Sequence, residues 1–463
     1  MIQILLFYKN PILHTTLSLF LAFILVFFKI PILFLYAIHT YIHPDSLGQS
    51  SNGVRAAAAS GLDGYQNLSS KTGAEIKKRN KAKEKVDFDE NNAQIFRLKL
   101  DEGHLQSRLY CDQYCVAFTI SFIALSCLLL HNYLNVSESS VGVWADGVFV
   151  PILVAILGLA MWFMLLWKIT FERSASRRSE KQLSVVFGVV GVFLGLYIFS
   201  GGASLVLDFN FVSVDGFGRL FIASLSGCLA GFLFMPSAKS ARSFWIGTDQ
   251  LGCNLSMITC GWFSRMVLYV NQILIIFASL LWINPLAEIF VNSNYNNSKT
   301  ASSVSSKFGA AEKLVGNVGL LQSDFSKFRL WCLLVSSLLQ IVALRPSLQM
   351  YLNEALLSWY QRLHASKVPD LDYSRAKVFL HNHYLCLVAL QFLAPPVLVL
   401  IFLGLSQIDG HSFKSFPLLC SMLPCSPFVK EVALFMAWWV TFLRAIFSSV
   451  FLVLHRHCFL YVS

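Results

Sequence analysis

The sequence predicts an all-α fold, a polytopic membrane bundle of about nine transmembrane helices with additional cytoplasmic amphipathic helices. Three observations support this fold class. The chain of 463 residues is 56% hydrophobic. Only 13% of its residues are charged, whereas soluble domains contain about 25%. It also contains 40 phenylalanines, and long apolar runs alternate with short basic loops. This composition indicates that lipid is the main solvent of the protein.

Nine apolar segments are long enough to cross a bilayer. A spanning helix needs about 20 apolar residues and must satisfy its backbone polar groups internally. The segments are 14–37, 114–131, 148–169, 183–206, 218–236, 265–290, 328–345, 379–405 and 432–455. A secretory signal is the alternative interpretation of the first segment. Its apolar run is too long for a signal and no small-residue cleavage motif follows, so we interpret it as an uncleaved anchor.

The loops between the segments predict the orientation of the chain. The loops 132–147 and 207–217 contain no Lys or Arg, whereas the loop 168–182 is strongly basic. Its basic residues are Lys168, Arg173, Arg177, Arg178 and Lys181. Basic loops face the cytoplasm. The alternation therefore predicts a lumenal or extracellular N-terminus and a cytoplasmic C-terminus, in an endomembrane or the plasma membrane.

Two loops assigned to the outer side carry candidate modification sites. Asn135 and Asn296 begin N-x-S sequons, so they are the predicted glycosylation sites. Cys420 and Cys425 lie in the loop 406–430, in a compartment where disulfides form. Their spacing does not determine the geometry that a disulfide needs. A disulfide and two free thiols both remain open.

Polarity divides the chain into three parts. Residues 1–43 form the N-terminal membrane anchor span, and residues 44–94 mix both charge signs and contain few large apolar side chains. This composition predicts a flexible cytoplasmic linker. Residues 95–463 form the polytopic domain with eight further spans. It begins with a predicted amphipathic helix over 95–109 and includes another over 346–366, where apolar residues recur at steps of three and four.

The fourth and fifth segments each contain a G-x-x-x-G motif. Gly191 and Gly195 form the first motif, and Gly227 and Gly231 form the second. Small residues four apart let membrane helices approach closely, so we predict tight helix packing at these glycines. A hinge or a pore-lining face is the alternative interpretation.

Polar residues and prolines in the seventh and eighth segments suggest an intramembrane site. Pro395 and Pro396 predict a break in the eighth helix, and discontinuous helices form ion or substrate sites in transporters. Gln391 lies one turn before the prolines, and Gln340 lies in the seventh segment. Hydrogen bonds that hold the helices together are the alternative role for these amides.

Arg444 lies near the middle of the ninth segment. An arginine at the centre of a membrane helix costs about 2.5–3.5 kcal/mol, so this side chain must face the bundle or water. No carboxylate lies near the middle of a predicted span. We therefore expect carbonyl oxygens freed at Pro395 and Pro396 to be its partners. Structural stabilisation and contact with an anion or a lipid phosphate both remain open as its role.

The sequence contains no motif that would support catalysis. It has no Walker A loop, no H-E-x-x-H, no nucleophile elbow and no paired C-x-x-C. The net charge of +11 is distributed among the loops, where membrane topology places it, and forms no nucleic-acid groove. We predict no enzymatic activity, cofactor, metal or nucleic-acid partner. The predicted partners are the lipid bilayer and another membrane protein.

Four strings in chain order resemble the transmembrane protein 161 family. They are GCLAGFLFMPSAKSAR, VALRPSLQMYL, LVALQFLAPPVL and WWVTFLRAIFSSVFLVLHRH, and YIHPDSLG is a fifth, weaker match. The residues that fit are Arg345, Pro346, Leu348, Gln349, Gln391, Pro395, Trp438, Trp439, His455 and His457. Arg444 departs from the family pattern. The resemblance implies an all-helical polytopic membrane protein, and members are thought to influence membrane excitability and stress tolerance.

The sequence thus predicts a non-enzymatic multi-pass membrane protein, a regulatory or accessory component that modulates membrane transport or excitability. A channel or transporter that uses Arg444 and the eighth segment is the alternative. An intramembrane lipid-modifying enzyme is the second alternative.

Overall fold

Almost all of the described chain is helical, which confirms the predicted fold class. The computed structural model describes residues 9–42, 66–67, 95–135, 148–172, 178–203, 205–209, 216–248, 261–290, 321–365, 371–408 and 427–459. These residues form 14 helices and a three-stranded sheet. The helices are α1 Lys9–Phe27, α2 Ile30–Leu35, α3 Glu102–Gln106, α4 Cys111–Asn135, α5 Phe149–Phe171, α6 Arg178–Phe199, α7 Gly216–Thr248, α8 Trp262–Leu280, α9 Asn284–Phe290, α10 Gln322–Val342, α11 Leu344–Ala365, α12 Asp372–His383, α13 Leu385–Ser406 and α14 Pro427–Arg456.

Nine of the described helices are long and apolar enough to cross a membrane. They are α1, α4, α5, α6, α7, α8, α10, α13 and α14, and they correspond in order to the predicted segments. The protein is therefore an integral multi-pass membrane protein. Helix α7 continues to Thr248, beyond the predicted end at residue 236. The added turns carry Lys239 and Arg242, whose charges the hydropathy pattern places outside the membrane.

Helix α13 forms the centre of the bundle. All residues from Leu385 to Leu403 are buried, and the helix packs against α4, α5, α7, α10 and α14. A helix that is hydrophobic on every side needs this complete cover. Helix α13 is continuous through Pro395 and Pro396, so the predicted break is wrong. Neighbouring helices surround the prolines and hold this stretch of backbone in place, which lets a membrane helix tolerate the missing donors.

Helices α6 and α7 approach each other through their glycines. Gly191 lies against Gly227 and Ala230, and Gly195 lies against Ala223. A Cβ atom on Gly227 would lie 2.7 Å from the carbonyl oxygen of Gly188. A Cβ on Gly231 would lie 3.0 Å from the carbonyl oxygen of Ser184, whose hydroxyl donates to Gly231 O at 2.5 Å. Backbone therefore contacts backbone along this interface.

Two adjacent tryptophans attach α14 to different neighbours. Trp438 Nε1 donates to the carbonyl oxygen of Ser279 on α8 at 3.0 Å. Trp439 Nε1 donates to the carbonyl oxygen of Ser226 on α7, also at 3.0 Å. Adjacent residues point to different sides of a helix. The tryptophan pair thus links α14 to both helices at once.

A small sheet covers one end of the bundle, together with α11 and α12; we call this the sheet end. Strand β1 His39–Ile42 pairs antiparallel with β3 Phe96–Lys99, and β2 Gln66–Asn67 pairs with the same strand. The helix predicted over 95–109 is therefore wrong at β3. Its residues alternate apolar and basic side chains, a period of two that suits a strand.

Side chains of α11 hold β1 and the residues before it in place. Gln349 Oε1 accepts from His39 N at 2.9 Å, and Gln349 Nε2 donates to His39 O at 3.1 Å. Arg345 donates to Tyr36 O at 2.8 Å. The amide of Gln349 thus pairs with both backbone groups of one residue, as a neighbouring strand would. Helix α11 covers most of the segment 346–366, where an amphipathic helix was predicted, and it is buried on most sides.

Several predicted features lie outside the described residues. Asn296, Cys420 and Cys425 are among them, and Asn135 is the last residue of α4. Of the predicted linker 44–94, only Gln66–Asn67 is described, and these residues pair with β3. Glycosylation and the disulfide therefore remain predictions.

The α6–α7 contact generates a stability prediction. We expect Gly227→Ala to lower stability by about 1–3 kcal/mol, because the added methyl group meets backbone atoms that cannot move aside. The measurement is the melting temperature of the purified protein in detergent. Gly216→Ala is the matched control on the same helix, since a Cβ atom there meets nothing within 4 Å. Equal melting temperatures for the two variants would show that the helices do not approach this closely.

Candidate functional site

Charged and polar side chains from five helices gather at the sheet end of the bundle. We call this group the charged cluster. Its members are Lys239, Ser240 and Arg242 on α7, Glu354 on α11, Lys377 and His381 on α12, Gln391 on α13, and Arg444 on α14. Charged residues inside a membrane bundle are costly and are usually functional. The cluster is therefore the candidate functional site.

Glu354 is the carboxylate at the centre of the cluster. Its Oε1 atom lies 3.3 Å from Arg242 Nη1 and 3.6 Å from Lys377 Nζ. The side chains of Glu354 and Lys377 are only 6% and 12% exposed. These two ion pairs join the transmembrane helix α7 to both helices of the sheet end.

The neighbouring cations keep Glu354 ionised. Burial alone would raise its pKa. The positive charges of Arg242 and Lys377, and that of His381 once it is protonated, act in the opposite direction and outweigh burial, so the pKa of Glu354 lies below its ordinary value. Burial lowers the pKa of Lys377, and the charge of Glu354 opposes that shift. The carboxylate and its cations thus stabilise one another's charges.

His381 is a neutral member of the cluster at neutral pH. Burial lowers its pKa to about 4, although the nearby Glu354 favours the imidazolium. Its Nδ1 atom donates to the carbonyl oxygen of Lys377 at 2.9 Å, since a carbonyl can only accept. The ring stacks on Tyr351, with centroids 4.5 Å apart. These contacts hold the imidazole beside Glu354.

Lys239 and Gln391 form a contact between α7 and the central helix. Lys239 Nζ donates to Gln391 Oε1 at 3.0 Å. Gln391 is 2% exposed, so its amide is shielded from lipid and solvent. Glu180 on α6 and Glu354 are the carboxylates that interact electrostatically with Lys239. The only amide in α13 before its C-terminal cap thus meets a cation instead of an apolar neighbour.

Arg444 lies at the edge of the cluster and does not contact the predicted partners. Its Nη2 atom donates to Ser240 Oγ at 3.1 Å, and the residue is 5% exposed. Its Nη1 atom is buried without a hydrogen-bond partner among the described residues. The expected contact with carbonyl oxygens at Pro395 and Pro396 is wrong, because the hydrogen bond that the described residues offer this guanidinium is the one to Ser240 on α7.

Gln340 lies apart from these residues in its hydrogen bonding. Its Nε2 atom donates to Ser336 Oγ on the same helix, at 3.4 Å. Its Oε1 atom has no partner among the described residues. The structure therefore brings Gln391 and Arg444 to the cluster, whereas Gln340 pairs within α10.

Sequence reasoning missed the centre of the site. Glu354 falls within a segment predicted to be a cytoplasmic amphipathic helix, and Lys239 and Arg242 fall within a predicted loop. One signal was present. Glu354 follows Met350 and Tyr351 at steps of four and three, so it lies on the apolar face of its helix. A single carboxylate on an apolar face predicts a buried cationic partner.

The chemistry of the cluster suits electrostatic contacts. Lys239, Arg242, Lys377 and Arg444 contribute four positive charges, and Glu354 is the carboxylate among the cluster members. Among the described residues, no group of three or more His, Cys, Asp or Glu side chains is arranged to hold a metal ion. The arrangement locks helices together, and its excess positive charge favours an anion.

Removing the central charge generates a second prediction. We expect Glu354→Gln to destabilise the protein by about 3–5 kcal/mol, because the buried Lys377 loses its counter-charge and the partly exposed Arg242 loses its ion-pair partner. Glu102→Gln is the matched control, since its ion pair with Lys29 is roughly half exposed, at 45% and 53%. That change should cost less than about 1 kcal/mol. The comparison uses melting temperatures in detergent, and equal losses would contradict the central role of Glu354.

The buried imidazole predicts a pH dependence. The pKa of His381 is lowered from 6.5 to about 4, so the unfolded chain binds more protons than the folded protein between these values. Stability is therefore greatest above about pH 6.5 and falls as the pH approaches about 4. Glu354 also has a lowered pKa, so its contribution is present above its unfolded pKa and is lost as the pH falls through the folded value.

We expect His381→Asn to weaken the dependence of stability on pH between about 4 and 6.5. Asparagine keeps a donor for Lys377 O but does not titrate. His104→Asn, on the exposed surface of α3, is the control and should keep the wild-type slope. The measurement is the melting temperature across the pH range. An unchanged slope in His381→Asn would assign the pH dependence to other groups.

Comparison with known proteins finds one family whose model covers most of the cluster. The model of the family described as "Predicted transmembrane protein 161AB" matches residues 204–427. This range contains α7 to α13, and therefore every cluster member except Arg444. No solved structure matches the chain. The match covers 224 of the 463 residues and includes three of the four strings, so it supports the resemblance to the transmembrane protein 161 family.

Proposed function

We propose that the protein is a non-enzymatic accessory component that modulates another membrane transport protein. In this role it changes the behaviour of its partner through helix contacts and moves no solute itself. The packing of α13 is the observation that carries the proposal.

The centre of the bundle is occupied by side chains. Helix α13 lies there, and residues such as Val388, Leu398 and Ile401 are fully buried. Packed side chains fill the interior as densely as an organic crystal, so a solute cannot pass along this axis without moving the helix. This packing supports a protein that acts through its surfaces.

The sheet end supports the same proposal. Arg242 on α7 and Lys377 on α12 both pair with Glu354 on α11. A partner that binds at the sheet end would therefore act on the transmembrane helices through a short chain of ion pairs. The predicted orientation places this end in the cytoplasm, where it would be accessible to the cytoplasmic part of a partner.

Anion transport is the second candidate function, and the charge of the cluster favours it. The cluster contains four cationic side chains and one carboxylate, with Glu180 on α6 as a further carboxylate that interacts with Lys239. Arg444 Nη1 is buried without a partner among the described residues. Positively charged rings and patches select anions in pores. In this alternative, Arg444 and Lys239 would bind the passing anion.

Conductance of the purified protein in planar bilayers separates the two functions. We expect no single-channel events from wild-type protein, because α13 fills the axis of the bundle. In whole-cell recordings, removal of the protein should change existing currents, and re-expression of the wild type should restore them. This combination is expected of an accessory component.

Variants make the bilayer experiment decisive. Arg444→Gln removes the buried charge, and Arg456→Gln removes an exposed charge near the end of the same helix. An anion-selective conductance that is lost in Arg444→Gln and kept in Arg456→Gln would establish the transport function. It would also overturn the accessory proposal.

A further inference from the structure

An open groove of about 820 Å³ lies on the membrane-facing side of the bundle. Helix α13 forms its floor, and α4 and α10 form its walls. Both wall helices pack against α13, and the groove follows the space between them. Its volume falls within the roughly 300–1,000 Å³ of typical ligand sites.

The walls of the groove are apolar over most of their length. Phe122 and Leu125 on α4 face Trp331, Leu334 and Leu338 on α10 across the floor. These large side chains suit a flexible hydrocarbon chain. Interfaces between membrane helices are instead enriched in small residues that allow close approach, so the lining favours an acyl chain over a partner helix.

One end of the groove is polar. Asn132 lies in the last turn of α4, Lys327 lies near the start of α10, and Gln407 caps the end of α13. Helix α4 begins at the sheet end, α10 ends there and α13 begins there, so these three residues lie together at the opposite end. This is the level at which lysine side chains reach lipid headgroups.

We propose that the groove binds a phospholipid with a net negative charge. One acyl chain lies between α4 and α10, and the phosphate lies beside Lys327. The lysine ammonium supplies the complementary charge, and the amides of Asn132 and Gln407 donate to phosphate or ester oxygens. The polar end of the groove lies at the opposite end from the charged cluster, and no member of the cluster lines the groove, so this binding site is separate from the proposed function.

Photolabelling of the full-length protein in nanodiscs tests the chain-binding part of the proposal. The probe is phosphatidylglycerol with a diazirine on one acyl chain, in a phosphatidylcholine bilayer. We expect labelled peptides to map to the groove faces of α4, α10 and α13. Labelling spread evenly over lipid-facing positions such as Val189 and Phe193 on α6 would show ordinary bilayer contact and would overturn the site.

A pair of tryptophan variants tests occupancy of the groove. Leu338 lines the groove and is 49% exposed, whereas Val335 is 47% exposed and does not line it. We expect Leu338→Trp to lower labelling about tenfold, because the indole fills the space of the chain. Val335→Trp should leave labelling unchanged. Equal labelling of the two variants, with equal melting temperatures, would contradict the proposal.

The headgroup is tested with a second probe and a charge series. Diacylglycerol with the same diazirine chain lacks the phosphate, so wild-type protein should label more weakly with it. Lys327→Gln should reduce phosphatidylglycerol labelling to the diacylglycerol level, and Lys327→Arg should restore it. Equal labelling of the wild type by both probes would show that the phosphate does not contribute to binding, and would overturn the proposal of an anionic lipid. Competition by inorganic phosphate alone would identify an anion site that needs no chain, and would also overturn it.

Discussion

The structure depends on the need of α13 to be covered on every side. This helix has no polar face between Leu385 and Ser406 apart from Gln391, so neither water nor a single neighbour can satisfy it. Five transmembrane helices pack around it. Once these helices surround α13, the remaining spans can only join as a second layer. Helix α6 does so by backbone contact with α7, and α1 packs at the edge on α4 and α5.

Complete cover of α13 also decides where the polar groups lie. Gln391 needs a hydrogen-bond donor near the sheet end, and Lys239 on α7 supplies it. Helix α7 therefore continues past the apolar part of its sequence and brings Arg242 to the same level. Arg242 in turn requires a carboxylate, which α11 provides as Glu354. Each charge thus follows from the one before it, because a buried polar group without a partner is more costly than a pair.

Hydropathy was sufficient to predict the spans, since a long apolar run has no stable alternative outside lipid. It could not predict the partner of Arg444, because Ser240 is 204 residues away and only the crossing of α7 and α14 brings the two together. For the prolines of α13, the sequence predicted a helix break that the structure does not contain. Their local preference is to break a helix, and packing on every side overrides it. Strand β3 was missed because the sequence resembles a helix over a longer window, while its alternation covers only four residues.

The charged cluster and the polar end of the groove lie at opposite ends of the bundle, and α13 contributes to both. Gln391 lies near its start, and Leu400 and Gln407 line the groove toward its end. Packed cores respond to a displaced element by repacking as a unit, not by deforming continuously. A change at either end that moves α13 along its axis must therefore also alter the Lys239–Gln391 hydrogen bond or the floor of the groove. In the proposed accessory role, this shared helix connects the lipid on one side of the membrane to the ion pairs of the sheet end.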